Sequence, residues 1–205
     1  HKYPPLISYV KDYASRYQLS PTILLHLFNT PSNNFNYDLG MFIVPLVSVF
    51  HKNSQGKNAL MIYCENYSTP TTANLNKHFQ LLDLIFSQFE SNIYKFNLLD
   101  KDNRDNNIIN QFCSRFTITD HIRDRIALTF AYVLAKCYTI LDKVDMIFLL
   151  TNKNFLGKTA YQSCLEYNSC CLNVLVKYQK IFNLPCDGNN NIKEIINSVA
   201  HMNLS

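Results

Sequence analysis

The sequence predicts an all-α fold of stacked helix-turn-helix units, a solenoid with long insertions and a helical cap at each end. Three observations carry this. The phrase Gly56-Lys57-Asn58-Ala59 returns as Gly157-Lys158-Thr159-Ala160, each time opening an apolar stretch. Apolar residues recur three and four apart over most of the chain, the period of a helix face and not of a strand. With 4 glycines and 7 prolines in 205 residues, the tight turns of an all-β architecture have no source. A hydrophobic fraction of 47% supplies a core and excludes a disordered chain.

Residues 1–50 are expected to form an N-terminal helical cap or an atypical first repeat, with helices over 6–17, 21–28 and 40–50. Ser20 before Pro21 reads as an N-cap followed by proline at the first helical position. The repeats occupy 51–183. Between the two glycine-headed copies lies a third, Asp105-Asn106-Asn107-Ile108-Ile109, which aligns beneath Gly56 to Leu60 and sets Cys113 under Cys64. The cap position then reads Asn58, Asn107 and Thr159, residue types whose short side-chain oxygen satisfies an orphan N–H at a helix start. Gln162, three residues past Thr159, completes a capping box. Gly56 and Gly157 supply positive φ, which Asp105 also visits more readily than most residues.

Each cap heads a short inner helix and a longer outer one. The first pair offers Ala59, Leu60, Tyr63 and Cys64, then Phe79, Leu82, Ile85, Phe86 and Phe89. The second outer helix carries Ile122, Ile126, Phe130, Val133, Cys137 and Leu141, and the third pair Ala160, Cys164 and Leu165, then Leu172, Leu175 and Val176. No single pair buries its apolar face, so neighbours must stack. The steps from Gly56 to Asp105 and from Asp105 to Gly157 are 49 and 52 residues. Short helix-turn-helix repeats run at about 33 to 34, so each interval holds an insertion of roughly 16 to 19. The polar run 67–77, with Pro70, and the stretch 114–124 are the expected insertion loops. Beyond 183, Pro185 and Gly188 break the pattern, and Ile192, Ile195, Ile196, Val199 and Met202 mark a C-terminal capping helix over 184–205.

These residues resemble the ankyrin repeat, a loop with Asp and Gly, then Thr-Pro-Leu-His at the head of an inner helix, then an outer helix rich in Val and Leu. The pattern survives as Asn53-Ser-Gln-Gly56-Lys-Asn-Ala-Leu60, Asp102-Asn-Arg-Asp105-Asn-Asn-Ile-Ile109 and Asn154-Phe-Leu-Gly157-Lys-Thr-Ala-Tyr161. It lacks the proline at the first helical position and the following histidine in all three copies. The order of Gly-x-x-Ala-Leu-Met, a long polar insertion, a Phe- and Leu-rich helix and an Asp-rich loop is similar to the ankyrin region of the budding-yeast cell-cycle-box transcription factors. Ankyrin adaptors linked to Rab exchange factors and bacterial effectors share the same features. The resemblance implies an ankyrin-like stack over 51–183, acting as a non-enzymatic protein-interaction scaffold in a larger intracellular regulatory protein, nuclear or cytoplasmic. Its partner is a protein of unknown identity. The surface implied is the loop tips: His51, Lys52 and Asn53; Lys101, Asn103 and Arg104; Lys153, Asn154 and Phe155. An exposed aromatic such as Phe155 is a natural interface anchor, although it could equally tuck beneath its own turn. The insertions are a second candidate surface.

Other function classes find little support. There is no phosphate-cradling glycine loop, Gly-x-Ser-x-Gly elbow or His-Glu-x-x-His, so no catalytic residue and no cofactor is expected. A thiol hydrolase would need one of seven cysteines beside one of His26, His51, His78 and His121, and none carries a family signature. Most of the cysteines lie on apolar stripes and read as small buried hydrophobes in a reducing compartment. No Cys-x-x-Cys pair suggests a metal site. The adjacent Cys170 and Cys171 are expected to point in different directions. His26 falls among Leu24, Leu25, Leu27 and Phe28 and reads as a hydrogen-bonded core histidine. A net charge of +4, spread among acids, is no nucleic-acid footprint, and a helical nucleic-acid module remains a weaker alternative. The longest apolar run, 41–50, is too short to cross a membrane. Asn66-Tyr67-Ser68 matches a glycosylation acceptor by chance in so Asn-rich a chain. Opening on His1 in place of Met, the sequence is expected to be a piece of a longer protein.

Overall fold

In the computed structural model, residues 6–30, 35–67, 70–91, 93–114, 120–167 and 169–184 are described. Beyond Leu184 the expected capping helix over 184–205 falls outside them, as do Cys186 and the side chains of His121 and Ile122. The described elements are all helical, with one isolated bridge between Lys153 and Thr159. The chain divides into two compact units, 1–94 and 95–205, with the first loop in one and the second and third loops in the other.

The first unit holds α1 (Leu6–Arg16), α2 (Thr22–Phe28), α3 (Tyr37–Ile43), α4 (Ala59–Tyr67) and α5 (Leu75–Ser87). Helix α2 packs on α4 and α3 on α5, so two successive hairpins meet first helix to first helix and second to second. Leu24, Phe28, Ile43, Leu60, Leu81 and Phe86 are fully enclosed between them. Gly40 allows the close approach of α3 to α5, since a Cβ there would lie 3.0 Å from Leu81 Cδ2 and 3.2 Å from Phe35 Cζ.

Three expected boundaries move. The helix placed at 40–50 starts at Tyr37, because Asn36 caps it by accepting from Leu39 N at 3.0 Å, and it gives way to a 3-10 turn over Val44–Leu46. Pro45 within that turn has no N–H to continue the ladder. Helix α2 starts one residue after Pro21, and Ser20 is a poor cap, its Oγ 3.4 Å from Thr22 N and 2.8 Å from Thr22 Oγ1. The insertion at 67–77 ends early: Leu75 to Lys77 form the first turn of α5, and Lys77 Nζ bridges to Asp38 on α3 at 2.8 and 2.9 Å.

The second unit holds α6 (Ile108–Cys113), α7 (Asp120–Ile140), α8 (Lys143–Thr151), α9 (Ala160–Tyr167) and α10 (Ser169–Ile181). Here too α6 packs on α9 and α7 on α10. Helix α7 begins at Asp120, so 120–124 is helical and not loop. Helix α8 has no counterpart in the expected repeats. Asp142 caps it, accepting from Asp145 N at 2.9 Å, and Met146, Ile147, Leu149 and Leu150 are buried. Leu165, expected on the inner stripe of the third copy, is 58% exposed while Ala160 and Cys164 are buried, because it lies a quarter-turn round the helix from Cys164.

Candidate functional site

Three loops share one hydrogen-bonded frame. In the first, Asn53 Oδ1 accepts from Gln55 N at 2.9 Å and Lys57 N at 3.0 Å. The backbone closes the same turn, Gly56 N donating to Asn53 O at 2.9 Å and Asn53 N to Lys57 O at 3.0 Å. In the second, Asp102 Oδ1 accepts from Arg104 N at 2.8 Å and Asn106 N at 2.9 Å, with Asp105 N on Asp102 O at 3.0 Å and Asp102 N on Asn106 O at 2.9 Å. In the third, Asn154 Oδ1 accepts from Leu156 N at 3.0 Å and Lys158 N at 3.1 Å, with Gly157 N on Asn154 O at 2.8 Å and Asn154 N on Lys158 O at 3.0 Å. The side chain of each Asn or Asp thus substitutes for a backbone acceptor. The fourth residue of each frame must take positive φ: Gly56 at 76°, Asp105 at 56° and Gly157 at 72°.

Each frame delivers the chain into a capped helix. Asn58 Oδ1 accepts from Met61 N at 3.0 Å. Asn107 Oδ1 accepts from Ile109 N and Asn110 N, both at 2.9 Å, and Asn110 returns the bond to Asn107 N at 3.3 Å. Thr159 and Gln162 form the expected box, Gln162 N to Thr159 Oγ1 at 3.3 Å and Thr159 N to Gln162 Oε1 at 2.9 Å. In both glycine-headed copies the lysine after the glycine bridges to a glutamate eight residues on: Lys57 to both oxygens of Glu65 at 2.8 Å, and Lys158 to Glu166. That recurring spacing was legible in the sequence.

The frame is constant and what it carries is not. Its two tip residues read Ser54-Gln55, Asn103-Arg104 and Phe155-Leu156, and a lysine, Lys52, Lys101 or Lys153, stands just before each frame. His51, Lys52, Asn103, Arg104 and Lys153 are exposed. Phe155 and Leu156 are each 57% exposed, so Phe155 points outward and not beneath its turn. Lys101 is half-buried, its Nζ 5.5 Å from the Phe148 ring centroid. Asn53 and Asn154, expected among the contact residues, spend their carboxamide oxygen holding the frame, and Asn154 is buried.

Within the second unit the two tips are tied together. Phe155 N donates to Arg104 O at 3.0 Å. Behind them Asn152 Nδ2 donates to Asp105 O at 2.8 Å and Asn110 Oδ1 at 2.9 Å, Asn110 Nδ2 to Asn152 O at 3.3 Å, and Asn107 Nδ2 to Leu149 O at 2.7 Å. In the first unit, His51, Lys52, Asn53 and Ser54 line a groove of ≈ 370 Å³ against Thr22, Leu25, His26, Asn29 and Ile62. His26 is therefore exposed at the groove and not a core residue: Leu24, Leu25 and Phe28 face inward and leave it on the open side of α2. Among the described residues the buried histidine is His78, whose Nδ1 is 2.7 Å from the Tyr63 hydroxyl. Burial lowers its pKa to about 4, so it is neutral at pH 7.

No family model, curated protein or solved structure matches this chain. Among the described residues no group of three or more His, Cys, Asp or Glu is placed to hold a metal ion, and no helix is long and apolar enough to cross a membrane. Burial pushes the Cys137 thiol up to about 12 and Cys113 well above its ordinary value, which leaves both as packing groups at neutral pH.

Proposed function

We propose that this chain is a non-enzymatic protein-binding module, built of ankyrin-like helical hairpins, that uses its loop tips to hold a partner protein. One observation carries the reading: a fixed hydrogen-bonded frame recurs three times while the residues it projects change from polar to cationic to apolar. A frame kept rigid under a varying tip is what recognition requires, since ordering costs are met before binding. The outward Phe155 and Leu156, beside Arg104 and Lys153, supply an apolar anchor with a cationic rim. The paired hairpins of each unit, first helix on first and second on second, support the ankyrin-like assignment. The free thiols at Cys64, Cys113, Cys137, Cys164, Cys170 and Cys171 support a reducing, intracellular setting, and the resemblance supports a regulatory protein, such as a transcription regulator, as its context.

Affinity capture followed by titration of the recovered partner tests this. The double variant Phe155→Ala, Leu156→Ala and the single variant Arg104→Glu should each weaken the complex at least tenfold with the unfolding midpoint unchanged. Leu128→Ala, at an exposed position of α7, should leave it intact. Partners held equally by the loop variants, or lost on Leu128→Ala, would overturn the reading.

A further inference from the structure

We propose that the groove of the first unit receives a phosphorylated serine or threonine carried by the partner protein, an assignment that rests on the protein-binding reading above and names the chemistry of what is bound. The groove, of ≈ 370 Å³, lies between α2 and the first loop. Leu25 of α2 and Ile62 of α4, both buried, give it an apolar floor. Polar side chains stand around that floor: His26 and Asn29, exposed and three residues apart at the end of α2, and His51 and Asn53 from the loop. The side chains of His26, Asn29 and His51 have no hydrogen-bond partner among the described residues. Asn53 spends only its oxygen, accepting from Gln55 N and Lys57 N, which fixes the carboxamide and leaves its Nδ2 as an oriented, unspent donor. Lys52 and Ser54 complete the rim.

The walls also fix the sign of the ligand. No Asp or Glu occurs in 13–37 or in 39–64, so neither α2 nor the first loop brings a carboxylate to the groove. Glu65, the next acid along α4, is held by Lys57 at 2.8 Å. The second loop is the opposite case, with Asp100, Asp102 and Asp105 in and beside its frame. Only the first loop thus joins a positive charge to donors that no acid of its own walls consumes. Each imidazole keeps at least one N–H to donate and gains a positive charge on protonation. A carboxylate offers two oxygens, whereas a phosphomonoester offers three strong acceptors and about −2 charge. Donors placed on two facing walls are therefore used together by a phosphate, and charge-assisted bonds are the strong ones. The floor of Leu25 and Ile62 lies beneath the carbon atoms of the phosphorylated residue. No bond is made or broken; the group is recognised.

The test is an NMR titration of the intact chain with a blocked glycine-phosphoserine-glycine tripeptide, and with the same tripeptide carrying serine or glutamate at its centre. The imidazole signals of His26 and His51 and the carboxamide signals of Asn29 and Asn53 should move together along one saturable curve with the phosphorylated probe. The glutamate probe should bind at least tenfold more weakly, and the serine probe should move none of them. Inorganic phosphate should shift the same signals with lower affinity than the tripeptide. The double variant His26→Gln, His51→Gln, at two exposed positions, should lower affinity for the phosphorylated probe at least tenfold with the unfolding midpoint unchanged, and Lys52→Gln should lower it several-fold. Equal shifts from the serine probe, shifts centred elsewhere, full affinity in the double histidine variant, or inorganic phosphate binding as tightly as the tripeptide would overturn the proposal. The titration needs no partner, so the two readings fail separately: a partner that stays bound while the probe finds no site sinks the phosphate assignment alone. Phe155→Ala, Leu156→Ala should leave affinity for the probe unchanged.

Discussion

The two units build the same loop and the same pair of packed hairpins with different chemistry. The first is held largely by rings: Phe28 lies 5.0 Å from Tyr63 and 5.9 Å from Phe35, Phe35 meets Tyr37 edge-on at 4.8 Å, and Tyr63 stacks on His78 at 5.4 Å while bonding to it, with the Gln88 carboxamide adding bonds to Val44 O, Val47 O and Val49 N. Around its loops the second unit is held by carboxamides, with Asn107, Asn110 and Asn152 joining α6 to the end of α8 and to the second loop. The loop frame is thus set locally, by an Asn or Asp, a positive-φ residue and a cap, and the long-range support behind it is interchangeable. Aromatic support tolerates loss of single contacts; an amide network does not, because each broken bond strands a buried partner.

The largest expected effect follows from that asymmetry. Asn107→Ala removes a cap and leaves the Leu149 carbonyl unpaired, and should cost about 3 kcal/mol in urea unfolding. Phe35→Leu in the first unit should cost about half as much, since volume is largely kept. Equal costs would erase the distinction between the units.

Next comes pH. His78 titrates near 4 in the folded protein against 6.5 in the unfolded chain, so the unfolded state binds more protons between these values. The stability from keeping it neutral is complete above pH 6.5 and drains away as pH falls towards 4, about 3 kcal/mol in all. In the double variant His78→Phe, Tyr63→Phe this part of the slope should vanish. A slope that survives would place the acid sensitivity elsewhere.

Smaller effects probe the frame itself. A Cβ on Gly157 would meet nothing within 4 Å, so Gly157→Ala isolates backbone strain and should cost about 1 kcal/mol. Asp105→Gly relieves the same strain at 56° and should stabilise by about 0.5 kcal/mol. Changes of the same sign at both sites would show that the loops are not equivalent. Smallest of all, Glu166→Gln should leave the midpoint within error, because the Lys158 bridge is solvent-exposed.

How much of this the sequence shows depends on the range of each interaction. The caps at Asn58, Asn107 and Thr159 and the Gln162 box are legible because they join residues two or three apart. So are the positive-φ positions, where Gly56 and Gly157 mark the place that Asp105 fills. The Lys-Glu spacing shared by 57–65 and 158–166 spans eight residues, and its recurrence could be read the same way. Helix period misjudges His26 and Leu165 since an apolar neighbourhood in sequence does not fix which side of a short helix faces the core. His78 is hidden for the opposite reason: its partner Tyr63 is 15 residues away, and packing alone turns it inward. The link of Asn110 to Asn152, 42 residues apart, leaves no trace in spacing.

Native-state amide hydrogen exchange tests the shared frame most directly. The amides of Gln55 and Lys57, Arg104 and Asn106, and Leu156 and Lys158 each donate to the side chain of their own Asn53, Asp102 or Asn154. All six should exchange far more slowly than unstructured amides, and Asn53→Ala, Asp102→Ala or Asn154→Ala should release only the pair belonging to its own loop. Exchange at unstructured rates in any one of the three loops of the unaltered protein would contradict the account.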